Sequence, residues 1–210
     1  MHTTVLLIRH GETEWNLQGK IQGTQNIPLS HQGKAQAQLL AKRLHGTLDY
    51  VYSSPLERAF QTAQILCTST SLTPLPLENL KEVDFGSWEG LNFKEVATTY
   101  PEAFNLWRTD EVLGPLIDGE GNLKKASLRA TSCVLEVVQK HPGKHIAMVS
   151  HGGLIKCAIM GLLDLKMTMY HHLALGNTCI TTFQFDERLH PVLLGINDTH
   201  HLNTASPTAV

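Results

Sequence analysis

The sequence predicts an α/β fold: a three-layer α/β/α sandwich with a mostly parallel sheet and an inserted helical cover. Three observations point there. Short apolar runs of strand length alternate with longer stretches of helical periodicity. The chain has 210 residues, 42% hydrophobic and 17% charged, enough to bury one sizeable core and far from the composition of a disordered chain. Two of the strand-like runs end directly in a His-Gly dipeptide, His10-Gly11 and His151-Gly152, and ligand sites of parallel sheets form where strand C-termini meet the following loops.

The first run covers 4–9 and feeds Arg9-His10-Gly11. Ser30 is placed to cap a helix over about 31–45, with Ala37, Leu40, Ala41 and Leu44 on one face. Residues 49–53 read as a second strand and 56–68 as a helix, with Ala59, Ala63 and Leu66 at helical spacing. A loop with a short strand follows over 70–80. Residues 80–122 break the alternation. They hold Phe85, Trp88, Phe93, Tyr100, Phe104 and Trp107 among turn residues, and they read as the cover. Its last part, 110–122, is an acidic loop with Asp110, Glu111, Asp118 and Glu120.

The helical pattern returns over 123–140, with Ala130, Val134, Val137 and Val138 facing inward. A strand over 144–150 runs into His151-Gly152-Gly153, and a helix follows over 152–163. Alternating segments at 179–185 and 191–196 read as a closing antiparallel pair. Residues 1–203 are expected to form a single domain, and 204–210 a loose tail.

Several classes are excluded or disfavoured. The formal charge of −2 lacks the basic footprint of a nucleic-acid binder. No stretch approaches the roughly 20 apolar residues of a membrane span, and the N-terminus lacks a signal-peptide pattern, so a cytoplasmic location is expected. The four cysteines are scattered without a CxxC pair and read as reduced core residues. There is no Walker loop, no cysteine followed six residues later by arginine, no GxGxxG and no GxSxG. No compact His/Asp set suggests a metal, and no cofactor is expected. His171, His172, His200 and His201 fit packing or surface roles better than a metal site.

Four blocks remain: Arg9-His10-Gly11-Glu12-Thr13 with Asn16; Ser53-Ser54-Pro55-Leu56-Glu57-Arg58-Ala59; Glu82 followed by Asp84-Phe85-Gly86-Ser87-Trp88-Glu89-Gly90; and Ser150-His151-Gly152-Gly153. In this order, over about 4–200, the chain resembles the histidine phosphatase superfamily, also called phosphoglycerate-mutase-like. The chemistry agrees. A phosphoryl group in transfer spreads charge over three oxygens, which arginine forks can stabilise in place of a metal. His10 can attack phosphorus with one ring nitrogen while a backbone carbonyl holds the other.

The resemblance implies catalytic roles for His10, Arg9, Arg58, His151 and Glu82. Glu82 is the general acid, singled out from nearby Asp84 and Glu89. It implies substrate contacts for Asn16, Gln22, Gly23 and Gly152. His201, in the ending Leu194-Gly195-Ile196-Asn197-Asp198-Thr199-His200-His201-Leu202, is a further substrate-binding candidate by similarity to phosphoserine phosphatase-like members.

The expected partner is a small phosphorylated metabolite, with phosphoserine the first choice. α-Ribazole phosphatase, broad sugar-phosphate phosphatase and phosphoglycerate mutase are the alternatives, and a homodimer is the family-based expectation. A non-catalytic module is disfavoured, since a scaffold has no need for all five residues. Phe85, Trp88 and Trp107 are read as packing before substrate stacking. The acidic loop is weighed as an attractor for a substrate ammonium, against the simpler reading of a solvated loop.

Overall fold

The computed structural model describes residues 1–112 and 114–202. The expected tail at 204–210 lies outside the described residues. Strand β1 is Thr3–Arg9, followed by the short helix α1, Glu14–Leu17, and then α2, His31–Leu44. The Ser30 hydroxyl accepts from the Gly33 N–H at 3.0 Å and caps α2 as the sequence predicts. Next come β2, Tyr50–Ser53, α3, Glu57–Cys67, and the short β3, Leu75–Pro76.

The cover contains α4, Phe93–Thr99, and α5, Pro101–Thr109. Pro101 opens α5 at a position where its missing N–H costs nothing. The chain continues through α6, Leu123–Lys140, then β6, His145–Ser150, and α7, Gly152–Leu162. The antiparallel closing strands are β7, Ile180–Phe185, and β8, Pro191–Asp198, the latter two residues longer than predicted.

The six-stranded sheet has the order β3-β2-β6-β1-β7-β8. The first four strands run parallel and the last two antiparallel. Alternation along the strands sends side chains to opposite faces. Val5, Leu7, Ile146 and Met148 enter the larger core under α6 and α7. Ile8, Ala147 and Val149 enter the second core with Leu40, Ala59 and Ala63 of α2 and α3.

The acidic part of the cover is not one loop. Strands β4, Pro115–Leu116, and β5, Gly121–Asn122, pair as a two-stranded ribbon around a turn. The turn uses positive φ at Asp118 and Gly121, a conformation that propensity along the chain does not announce. Trp88 and Trp107 pack edge to face at 5.4 Å, and both are buried, so they serve the core of the cover. All four cysteines are buried and free. Among the described residues, no helix is long and apolar enough to cross a membrane.

Candidate active site

Three adjacent parallel strands, β2, β6 and β1, end side by side: β1 leads into His10, β6 into His151, and β2 into α3, which carries Arg58. The His10 N–H donates to the Ser150 carbonyl and the Ser54 N–H to the Val149 carbonyl, both at 2.9 Å, so the three strand ends are stitched together. A cleft of about 260 Å³ opens there. Arg9, His10, Asn16, Gln22, Gly23, Arg58, Glu82 and Gly152 all line it.

His10 is buried, and its Nδ1 lies 2.6 Å from the Gly11 carbonyl oxygen. A carbonyl only accepts, so Nδ1 carries the proton and Nε2 keeps its lone pair. Burial, then the Arg58 and Arg9 guanidiniums, hold the imidazole well below its usual pKa, which keeps it neutral and nucleophilic.

His151 stands behind His10, with ring centroids 5.2 Å apart. Its Nε2 lies 2.8 Å from the Ser54 hydroxyl, and its Nδ1 has no partner. Burial, then the Arg58 guanidinium, also push its pKa well down.

Arg58 is completely buried on α3. Its two terminal nitrogens donate to the Gln25 and Gly23 carbonyls, each at 2.7 Å. Burial lowers its pKa to about 10, so it remains a cation at neutral pH. Gly23 has φ +50, and a side chain there would run into Glu89. Glu89 does not line the cleft. It accepts from Thr24 and Gln25 and so shapes the loop that anchors Arg58.

Arg9 donates to the Leu175 carbonyl. The Asn16 Oδ1 accepts from Thr13 and from the Asn177 amide, which leaves its NH2 group as the free end. Among the described residues, half of the buried side-chain polar atoms without a partner belong to the predicted site: Arg9 Nε, Arg58 Nε, Gln22 Oε1 and His151 Nδ1. Buried donors are normally paired, and three of these four sit on groups that can donate to an anion.

Glu82 is the carboxyl of the cleft; Asp84 instead accepts from the Gly86 N–H. Its Oε1 accepts from the Val83 and Leu154 N–H groups at 2.9 and 2.8 Å, and its Oε2 from Gly153 at 3.1 Å. It therefore sits on the N-terminus of α7. A Cβ on Gly153 would lie 2.6 Å from Glu82 Oε1, so this approach needs glycine. Arg129 of α6 secures the segment from behind. Its guanidinium donates to the Asn79, Lys81 and Glu82 carbonyls and forks onto Glu120 at 2.7 Å.

One predicted site residue is not brought to the cleft. His201 does not line the cleft. Its Nε2 lies 3.0 Å from the Thr178 hydroxyl and its Nδ1 3.4 Å from Arg43, because the turn after β8 docks on α2. The acidic loop does not face the cleft either. Glu120 is bound by Arg129, Asp118 accepts from Ser87, and Glu111 is 3.5 Å from Lys166. The walls instead carry Lys20 and Lys156 beside the two arginines, so the cleft selects an anion.

Sequence reasoning also missed Ser54 as a partner of His151, Lys156 and Tyr170. Lys156 left a trace: it is the one charged residue in the otherwise apolar α7. His171 packs on Trp107 at 4.3 Å and its Nε2 lies 3.1 Å from the Trp107 carbonyl oxygen. Among the described residues there is no group of three metal-ligating side chains.

The two buried histidines predict a pH dependence of stability. Each binds a proton more readily when unfolded, near pH 6.5, than when folded. Their contribution is therefore intact above pH 6.5 and is lost as pH falls below it. The loss reaches up to about 1.4 kcal/mol per pH unit for each group. Urea unfolding at pH 7.5 and 5.5 should show this decline, and His151→Gln should shrink it.

Comparison with known proteins gives one family. The profile of the histidine phosphatase superfamily (branch 1) matches residues 5–199. The chain is 32% identical over 199 residues to phosphoserine phosphatase 1 of Hydrogenobacter thermophilus, covering 94% of this chain and 93% of that protein. Its structure matches that of a mutant phosphoserine phosphatase from Entamoeba histolytica in complex with phosphoserine. The TM-score is 0.88 at 40% identity, over 95% of this chain and 99% of the other. The same enzyme in complex with 3-phosphoglyceric acid matches with TM-score 0.88 at 41% identity, over the same shares of the two chains.

Proposed function

The chain belongs to the histidine phosphatase superfamily, and from that membership we propose that it hydrolyses phosphoserine through a phosphohistidine formed on His10, without a metal. The protein is a phosphatase of that family. The observation that carries the reading is the buried, neutral His10, with Nδ1 fixed on the Gly11 carbonyl, at the floor of a cleft walled by Arg9 and Arg58.

In the first half-reaction His10 Nε2 forms a bond to phosphorus as the ester P–O bond breaks. The Nε of Arg9 and Arg58, the His151 Nδ1–H and the Asn16 amide serve the three phosphoryl oxygens. Ser54 donates to His151 Nε2 and so keeps the proton on Nδ1. Protonated Glu82 gives its proton to the leaving alkoxide. Its Oε2, with a single N–H contact, is the oxygen open for that proton. In the second half-reaction Glu82 takes a proton from water, the water oxygen bonds to phosphorus, the P–N bond breaks and inorganic phosphate leaves.

Glu82→Gln is expected to slow phosphoserine turnover by about 10²- to 10⁴-fold. It should slow phosphoenzyme formation from p-nitrophenyl phosphate far less, since that leaving group needs no proton. Stopped-flow release of nitrophenolate beside steady-state phosphate release measures the difference. Equal losses on both substrates would remove Glu82 as the acid.

The substrate proposal is tested by a panel of phosphoserine, 3-phosphoglycerate, sugar phosphates and α-ribazole phosphate, each with EDTA present. Phosphoserine should give the highest kcat/KM and EDTA no loss. Equal turnover of all four, or formation of 2-phosphoglycerate in place of free phosphate, would overturn it. So would EDTA inhibition reversed by a divalent ion.

A further inference from the structure

The phosphoryl group does not use all of the positive charge of the cleft. Lys156 stands on α7 one turn beyond Gly152, so it shares the face that helix turns to the cleft, and it lines the wall. Its ammonium lies 4.6 Å from the centroid of the Tyr170 ring. Among the described residues it makes no hydrogen bond and no ion pair.

Lys20, the other lysine of the cleft, likewise has no ion pair and lies 5.6 Å from the Trp15 ring. Lys81, Lys144 and Lys166 all pair with carboxylates at the surface. Burial, followed by the Arg9 charge, lowers the Lys156 pKa. Taking an ammonium out of water without an anion costs free energy. The nearest compensating acid in the cleft, Glu82, already accepts from three backbone N–H groups.

The order of groups along the cleft follows from Gly153. A Cβ there would lie 2.6 Å from Glu82 Oε1 and 3.0 Å from the Tyr170 hydroxyl oxygen. Glu82 and Tyr170 therefore converge on the start of α7, and Lys156 lies over the Tyr170 ring. With phosphorus at His10 and the leaving oxygen at Glu82, the rest of the leaving group extends towards Tyr170 and Lys156.

We propose that Lys156 is a specificity-determining residue that binds a carboxylate on the leaving group. The substrates of this cleft are then small phosphomonoesters that carry a carboxylate near the ester oxygen. This rests on the phosphatase reading and on Glu82 marking the leaving-group side, but it does not require that the substrate be phosphoserine. Arg9 and Arg58 serve the phosphate, and Lys156 separates carboxylated esters from those that lack the group.

The test compares O-phosphoserine with O-phosphoethanolamine, the same skeleton without the carboxylate, and adds 3-phosphoglycerate as a second carboxylated ester. The full-length enzyme and its Lys156→Met and Lys156→Arg variants are assayed. The wild type should favour phosphoserine over phosphoethanolamine by about tenfold or more in kcat/KM, the scale of one charge-assisted contact. Lys156→Met should erase that ratio, mainly by raising KM for the carboxylated esters, and Lys156→Arg should restore most of it.

A ratio unchanged in Lys156→Met would overturn the proposal, even if phosphoserine is turned over well. An equal loss on both esters would overturn it too, by making Lys156 a phosphate ligand or a packing residue. If 3-phosphoglycerate is hydrolysed and phosphoserine is not, with the same dependence on Lys156, the carboxylate site stands and the phosphoserine reading falls.

Discussion

His10→Ala is expected to lower kcat/KM by about 10⁴-fold or more on every phosphomonoester, with good and poor leaving groups alike. The substitution removes the atom to which phosphorus is transferred, and no nearby group can replace it. His151 is buried beside it, but its Nε2 is engaged by Ser54. The cysteines are equally unsuited: burial raises the Cys157 thiol well above its ordinary pKa and pushes Cys179 up to about 11. The fold should survive. His10 is held by main-chain bonds of β1, its neutral ring contributes one local hydrogen bond, and alanine removes a buried polar group. Circular dichroism and a thermal melt check that. Activity within tenfold of the wild type would end the phosphohistidine reading.

Arg58→Ala carries the second large effect, a loss of roughly 3 kcal/mol or more of transition-state stabilisation, above 100-fold in kcat/KM. Two contributions add. One is the lost cation beside the phosphoryl oxygens. The other is the release of the 22–25 loop, which Arg58 fastens through the Gly23 and Gln25 carbonyls. Arg58→Lys separates them: lysine keeps a charge but cannot hold two carbonyls in a fork and still present a third N–H. It should recover only part of the loss.

The charge on the equatorial oxygens is present whatever alcohol leaves. The Arg58 variants should therefore slow phosphoserine and p-nitrophenyl phosphate by similar factors, unlike Glu82→Gln. A loss confined to poor leaving groups would place Arg58 on proton transfer and contradict the assignment. Steady-state kinetics on the two substrates decides.

The sheet and its catalytic edge were legible for a physical reason. Apolar runs that end in Arg9-His10-Gly11 and Ser150-His151-Gly152 leave little doubt where a strand stops, and parallel strands of one sheet end on one side. Ser30 as the cap of α2 was equally local information. What sequence could not show was set by partners far along the chain. Glu120 looked like part of an exposed acidic loop, but it is held by Arg129, which also donates to the carbonyls around Glu82.

His201 lay in a segment similar to a substrate-contacting ending, but the turn after β8 takes it to Thr178 and Arg43. Tyr170 stood beside a pair of histidines and gave no signal, since a 3₁₀ turn has too little periodicity to show which side faces a cleft. Lys156 was the opposite case. Its charge in an apolar helix was visible, but only the neighbouring Tyr170 and Glu82 give that charge a task.

The most direct measurement is rapid acid-free quenching of the enzyme during turnover of phosphoserine, followed by peptide mass spectrometry at neutral to alkaline pH, where phosphohistidine survives. A phosphoryl group on the peptide that contains His10, formed and lost at rates that account for turnover and absent in His10→Ala, is the predicted result. Full turnover with phosphate on another residue, or on none within the limit set by the measured rates, would contradict the account.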